Sequence, residues 1–210
     1  MSRTRVKVCG ICTTDDAGTA VRAGADAIGM VFYPKSPRYL SISQARDITS
    51  RTPPFVSAVG LFVNSSYQDV CDVLSEVQLE LLQFHGDEDE GFCNSFNLPY
   101  IKALRVKPGT DLYQQCQMFG TARGILLDSY KKGIPGGTGE SFDWALIPDD
   151  LPLPVILAGG LDSNNVQQAI SSAKPWAVDV SSGVEESPGK KDQQKLVKFI
   201  KAVESMGQDY

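Results

Sequence analysis

Two candidate carriers of acid–base chemistry stand at the ends of apolar runs. In Val6-Lys7-Val8-Cys9-Gly10 the alternation of an extended segment puts Val6 and Val8 on one face and Lys7 and Cys9 on the other. A free thiol, with a pKa of about 8.5, is only slightly ionised at neutral pH, and a neighbouring ammonium such as Lys7 favours the thiolate. The run Ile125-Leu126-Leu127-Asp128-Ser129 ends in a carboxylate. Burying that group is costly unless it is paired, caps a helix, or is kept protonated for use. Two readings of Asp128 stay open: a cap or loop hydrogen bond, and a general acid or base tuned by an apolar rim. His85, the single histidine, closes Gln83-Phe84-His85-Gly86. One histidine excludes a multi-His metal centre, and a hydrogen-bonded lining role for His85 is the favoured reading.

Other positions suit anions. Arg38 follows Phe32-Tyr33-Pro34-Lys35-Ser36-Pro37 and could clamp a carboxylate through its planar fork, or stand as a solvated surface arginine. Gly159-Gly160 and Ser181-Ser182-Gly183 follow two late apolar runs. Such glycines and serines expose backbone N–H groups to a phosphate, helped by the positive end of a short helix. A nucleotide P-loop at Gly183 to Lys191 fails: five residues separate its glycines instead of four, and Lys191 stands where Ser or Thr belongs. Cys9-x-x-Cys12 has neither a second cysteine pair nor a histidine cluster to complete a zinc site, so no metal is expected. Cys71, Cys93 and Cys116 lie beside apolar residues in helix-like stretches and read as packing residues. Tyr130 to Glu140 holds four glycines, as a loop closing over a substrate would.

The elements that must position these groups alternate regularly. Strand-like runs fall at Val6–Gly10, Ala27–Phe32, Val56–Val63, Leu81–His85, Tyr100–Val106, Gly124–Asp128, Val155–Ala158 and Ala177–Val180, each nearly continuously apolar, as parallel strands covered by helices are. Between them, Thr13 or Thr14 can cap a helix that Gly24 ends, and Ser43 can cap another. Val70, Val73, Leu74 and Val77 recur at helical spacing, as do Leu196, Ile200 and Val203. Asp87 to Glu90 reads as a solvated helix start. Eight strands and eight helices are the tally of an α/β fold, the (β/α)8 TIM barrel, with an open doubly wound sheet as the rival. In both folds ligands bind at the C-terminal strand ends.

The chain has 210 residues, 42% hydrophobic and 21% charged, with a net charge of −5. A single domain spanning 1–210 is expected. The charge gives no footprint for nucleic acid, no run is long enough to span a membrane, and no signal peptide is visible, so a cytoplasmic location is expected.

Together these segments resemble the phosphoribosylanthranilate isomerase family of tryptophan biosynthesis, nearly end to end. Val6 to Ile11, Phe32 to Arg38, Gln83 to Gly86, Leu126 to Ser129, Gly136 to Gly139, Phe142 to Trp144, Leu157 to Leu161 and Val178 to Glu185 carry the likeness, in order. The resemblance implies a (β/α)8 barrel that converts N-(5-phosphoribosyl)anthranilate to its 1-deoxyribulose 5-phosphate isomer by an Amadori rearrangement, without a cofactor. It makes Cys9 the general base, Asp128 the general acid and Arg38 the binder of the anthranilate carboxylate. The phosphate falls to Gly159, Gly160, Ser181, Ser182 and Gly183, while Asp179, Lys7 and His85 contact substrate. The implied partner is a small phosphosugar; association with other enzymes of the pathway has no support in the sequence. The related histidine-pathway isomerase, the nearest alternative, typically uses two strand-end aspartates, whereas the first strand here ends in Cys9. Cys12 departs from the hydroxyl residue usual in the family and opens the chance of Cys9–Cys12 oxidation. The chemistry asks for opposed tuning: Asp128 protonated by a raised pKa, Cys9 ionised by a lowered one.

Overall fold

The computed structural model describes residues 3–107, 109–129, 144 and 147–206. Eight parallel strands close on themselves in chain order: β1 (Arg5–Cys9), β2 (Ala27–Val31), β3 (Ser57–Phe62), β4 (Leu81–Phe84), β5 (Tyr100–Val106), β6 (Gly124–Ser129), β7 (Val155–Leu157) and β8 (Ala177–Val180). β8 pairs with β1, Lys7 opposite Asp179, and that pairing abolishes both sheet edges. The barrel is thus realised and the open sheet is not. Ends differ from the sequence expectation by at most one residue, and Gly10, Phe32 and His85 lie just past their strands.

Helices α1 (Thr14–Ala23), α2 (Ile42–Thr49), α3 (Tyr67–Glu76), α4 (Glu90–Cys93), α5 (Leu112–Met118), α6 (Val166–Ala173) and α7 (Gln193–Ser205) are the α-helices among the described residues, one fewer than expected. The β6–β7 connection, including the glycine loop and Phe142, lies mostly outside them. Thr13 caps α1 by accepting from the Asp16 N–H, and Gly24 ends it in the left-handed conformation. Ser41, not Ser43, caps α2, because only Ser41 has Gln44 three residues on to complete a reciprocal capping box. α3 stops at Glu76, leaving Val77 extended.

Alternation along each strand separates two cores. Val6, Val8, Ile28, Leu82, Phe84, Ile125 and Leu127 face the helices, in the larger cluster. Inside the barrel Ile101, Ala103, Leu126, Ile156, Ala158 and Ala177 pack into a small plug, above which polar groups share the interior with a small apolar cluster of Cys9, Val31 and Leu61. The acidic run after β4 is not uniformly solvated. Asp89 caps α4, but Glu88 is buried, pairs with Lys102 of β5 at 2.7 Å, and accepts the N–H groups of Asn64 and Gly86. That carboxylate ties down the loop on which His85 stands. A hairpin of β9 (Glu185–Ser187) and β10 (Lys190–Lys191) follows β8.

Candidate active site

Above the plug, the C-terminal strand ends enclose a cavity of about 440 Å3, in the size range of small-molecule sites. Cys9 and Asp179 enter it from neighbouring strands β1 and β8, and Asp128 from β6. Gln83 and His85 come from the end of β4, and Arg38 from the loop after β2. Gly159 and Gly160, both at positive φ, line it together with Ser181 and Ser182. Asn165 donates to the Gly160 carbonyl at 2.8 Å and fixes that turn, while Ser182–Val184 form one 3-10 turn after β8. Gly183 belongs to this turn but is not part of the cavity wall.

Lys7 is also absent from the wall. It is buried one residue pair below Cys9, where its ammonium donates to Asp179 at 2.9 Å. Burial works against the charge on Lys7, but Asp179 and Cys9 together outweigh it and raise its pKa. Room for this arrangement comes from Gly29 on β2, where a Cβ would stand 2.9 Å from the Cys9 Sγ and 3.1 Å from the Lys7 Cε. The lowered thiol pKa expected for Cys9 is not found. Burial pushes it up, more than Lys7 and Lys191 bring it down, and Asp179 adds to the rise. The main reason is burial: the enclosed strand end disfavours the charged thiolate, and Lys7, whose ammonium also pairs with Asp179, offsets only part of that.

Across the cavity, the Gln83 amide donates to His85 Nδ1 at 3.0 Å, which assigns the proton of a neutral imidazole to Nε2. That nitrogen stands 3.3 Å from Asp128 Oδ2, within ion-pair distance but outside hydrogen-bond geometry. The sequence placed His85 on the right face; its closeness to Asp128 could not be read from β4 and β6 separately.

Arg38 is not a solvated arginine. Its Nε and Nη2 donate to the two oxygens of Glu185 at 2.8 and 2.7 Å. Lys191 donates to the same carboxylate at 2.8 Å and to the carbonyls of Cys9 at 2.6 Å and Ser181 at 3.3 Å. Burial alone would raise the Glu185 carboxyl, but Arg38 and Lys191 outweigh it and hold it below its ordinary value. Burial lowers Lys191, and Glu185 pulls it back. Gly10, at φ 73°, permits the approach of Arg38, because a side chain there would collide with the Arg38 Cδ. Glu185 and Lys191 were missed as site residues. The available signal was Pro188-Gly189, a turn dipeptide that folds one onto the other as opposed residues of the β9–β10 hairpin.

All five cysteines are free: Cys93 and Cys116 are buried, Cys71 half-buried, and Cys12 points its thiol toward the carbonyls of Gly10 and Arg38 at 3.7 and 3.6 Å.

Fold and site together define a class: a (β/α)8-barrel whose cavity brings Cys9, Asp128 and Arg38 together with the glycine and serine turns after β7 and β8. The family model described as N-(5'phosphoribosyl)anthranilate (PRA) isomerase matches residues 6–202. The N-(5'-phosphoribosyl)anthranilate isomerase of Pseudomonas savastanoi pv. phaseolicola is 58% identical over 203 residues, 97% of this chain and 98% of its own. The phosphoribosyl anthranilate isomerase of Thermotoga maritima superposes with a TM-score of 0.89 at 44% identity, over 96% of this chain and 99% of that one. A structure of such an isomerase in complex with reduced 1-(o-carboxyphenylamino)-1-deoxyribulose 5-phosphate superposes with a TM-score of 0.86 at 42% identity, with the same coverage. The chain belongs to the phosphoribosylanthranilate isomerase family, and is an isomerase of the tryptophan biosynthetic pathway.

Proposed function

We propose that Cys9 and Asp128 are the base and acid of the Amadori rearrangement of N-(5'-phosphoribosyl)anthranilate. What carries the reading is the convergence of Cys9, Asp128, Arg38 and the two phosphate-type loops on one cavity of about 440 Å3. The turns at Gly159-Gly160 and Ser181 to Gly183 take the phosphate through their N–H groups, and Arg38 takes the anthranilate carboxylate. Anchors at both ends of the substrate leave the sugar between Cys9 and Asp128. Asp128 protonates the furanose ring oxygen and the ring opens to an iminium. Cys9 removes the proton from C2, which the iminium acidifies, and the enolamine tautomerises to the aminoketone.

The raised pKa of Cys9 fits this order of events. Before ring opening, burial keeps the thiol protonated. The iminium then puts a positive charge in the same enclosed space, which favours loss of the thiol proton to solvent, so that the thiolate is present to take the proton from C2. Asp179 reaches the sugar hydroxyls while Lys7, below it, orients it and offsets part of the burial that raises its pKa; His85 lines the ring-oxygen side beside Asp128. The whole chain, 1–210, acts as one cytoplasmic catalytic domain.

Complementation tests the reading. The chain should restore growth without tryptophan to a strain lacking only this step, and a Cys9→Ser, Asp128→Asn double variant at equal abundance should not. Rescue by the double variant would overturn the roles.

A further inference from the structure

The Arg38–Glu185–Lys191 cluster takes no part in the proton transfers, yet its charges do not cancel. The Lys191 side chain is fully buried, and its three hydrogen bonds go to Glu185 and to the carbonyls of Cys9 and Ser181. Glu185 receives both this ammonium and the two bonds from Arg38. One carboxylate therefore faces two cations. Without Lys191, Arg38 and Glu185 would form a closed neutral pair, and an incoming carboxylate would meet the charge of Glu185 as strongly as that of Arg38. With Lys191 the cluster keeps one net positive charge beside the cavity that Arg38 lines. In a water-poor site such a surplus acts with little screening. The same ammonium grips the ends of β1 and β8, so the base, one phosphate-type loop and the arginine are referred to a single point.

We propose that Lys191 is the positioning residue of the carboxylate subsite: it holds Glu185 so that Glu185 orients Arg38, and it offsets the Glu185 charge so that Arg38 keeps its attraction for the substrate's carboxylate. The proposal rests on the reading of Arg38 as the carboxylate clamp. A purely structural lysine would support all ligands of the cavity alike; this one supports those bearing a carboxylate.

Calorimetric binding of two probes separates the cases: reduced 1-(o-carboxyphenylamino)-1-deoxyribulose 5-phosphate, and its phenylamino counterpart without the carboxylate. The wild type should prefer the first. Lys191→Gln and Lys191→Met should weaken the first probe roughly tenfold more than the second, within the usual range of couplings between sites. Lys191→Arg should restore most of the preference. An unchanged preference in Lys191→Gln, or equal weakening of both probes, overturns the proposal. Arg38→Met is the control for the underlying reading: if it leaves the preference intact, the clamp itself is wrong, whereas a preference lost in Arg38→Met and kept in Lys191→Gln removes Lys191 alone. Should the Lys191 variants fail to fold, Glu185→Gln replaces them. It deletes the negative member and retains an acceptor for Arg38, so the preference should hold or rise, and a fall overturns the proposal.

Discussion

On the side of the cavity built by β1 and β8, charged groups are held in ion pairs: Lys7 with Asp179, and both Lys191 and Arg38 with Glu185. On the β4 side the groups are an amide and an imidazole, and Gln83 Oε1 and His85 Nε2 have no hydrogen-bond partner among the described residues. Removing one member of a buried ion pair costs about 3–5 kcal/mol, so the first side is held in one arrangement. An amide–imidazole hydrogen bond contributes about 1 kcal/mol net, so the Gln83 and His85 side chains can turn and follow a proton, on a backbone that Glu88 and Lys102 hold in place. The base side is preset and the acid side adjustable. That division suits the roles proposed for the two groups, in which Asp128 gives up and regains a proton each turnover while Cys9 needs a fixed line to C2.

The largest expected losses come from the two reacting groups. Cys9→Ser and Asp128→Asn should each fold and lose about 10²- to 10⁴-fold in kcat, the usual contribution of a general acid or base, followed as the decay of substrate fluorescence. A variant at near-wild-type rate would remove its residue from the mechanism. Arg38→Ala belongs to the preset side but binds instead of reacting. Its KM should rise about 10- to 100-fold with kcat changed less than ~3-fold, as for uniform binding. An unchanged KM would take the clamp away. His85→Asn tests the adjustable side, and should lower kcat by about tenfold or less, because the imidazole neighbours the acid without replacing it. A loss equal to that of Asp128→Asn would shift the acid's role onto His85.

The smallest effect is one of pH. Burial holds the Cys9 thiol above its ordinary range in the free protein. Since only the thiolate accepts the C2 proton, kcat/KM, which reports the free enzyme, should still be rising with pH through the ordinary thiol range near ~8.5. A plateau reached by neutral pH would mean that the field of Lys7 prevails over burial, and the base side would then be preset in charge as well as in geometry.

How much of this was legible in the sequence follows the same division between local and closed-barrel information. Strands announce themselves as apolar runs, and the inward pointing of Lys7 and Cys9 follows from alternation within β1 alone. The Lys7–Asp179 pair does not, because it joins residues 172 positions apart through the closure of β8 on β1. Neither that pair nor the full burial of Cys9 shows in β1 alone, so the sequence weighs Lys7 above burial and assigns the thiol the wrong direction of shift. In the sequence Glu88 reads as a solvated neighbour of Asp87 and Asp89, because its partner, Lys102, is supplied by the next strand. Glu185 and Lys191 were invisible for a milder reason: their contact is local, but it depends on a hairpin of very short strands whose only cue is Pro188-Gly189.

The claim on which the rest depends is that Cys9 takes the C2 proton. Substrate deuterated at C2, followed through a single turnover with Cys9→Ser and with the wild type, tests it most directly. The account predicts that the wild type releases the label to solvent with a primary isotope effect, while substrate recovered from Cys9→Ser still carries it. Release of the label by Cys9→Ser at close to the wild-type rate would contradict the account, and would place the base elsewhere in the cavity.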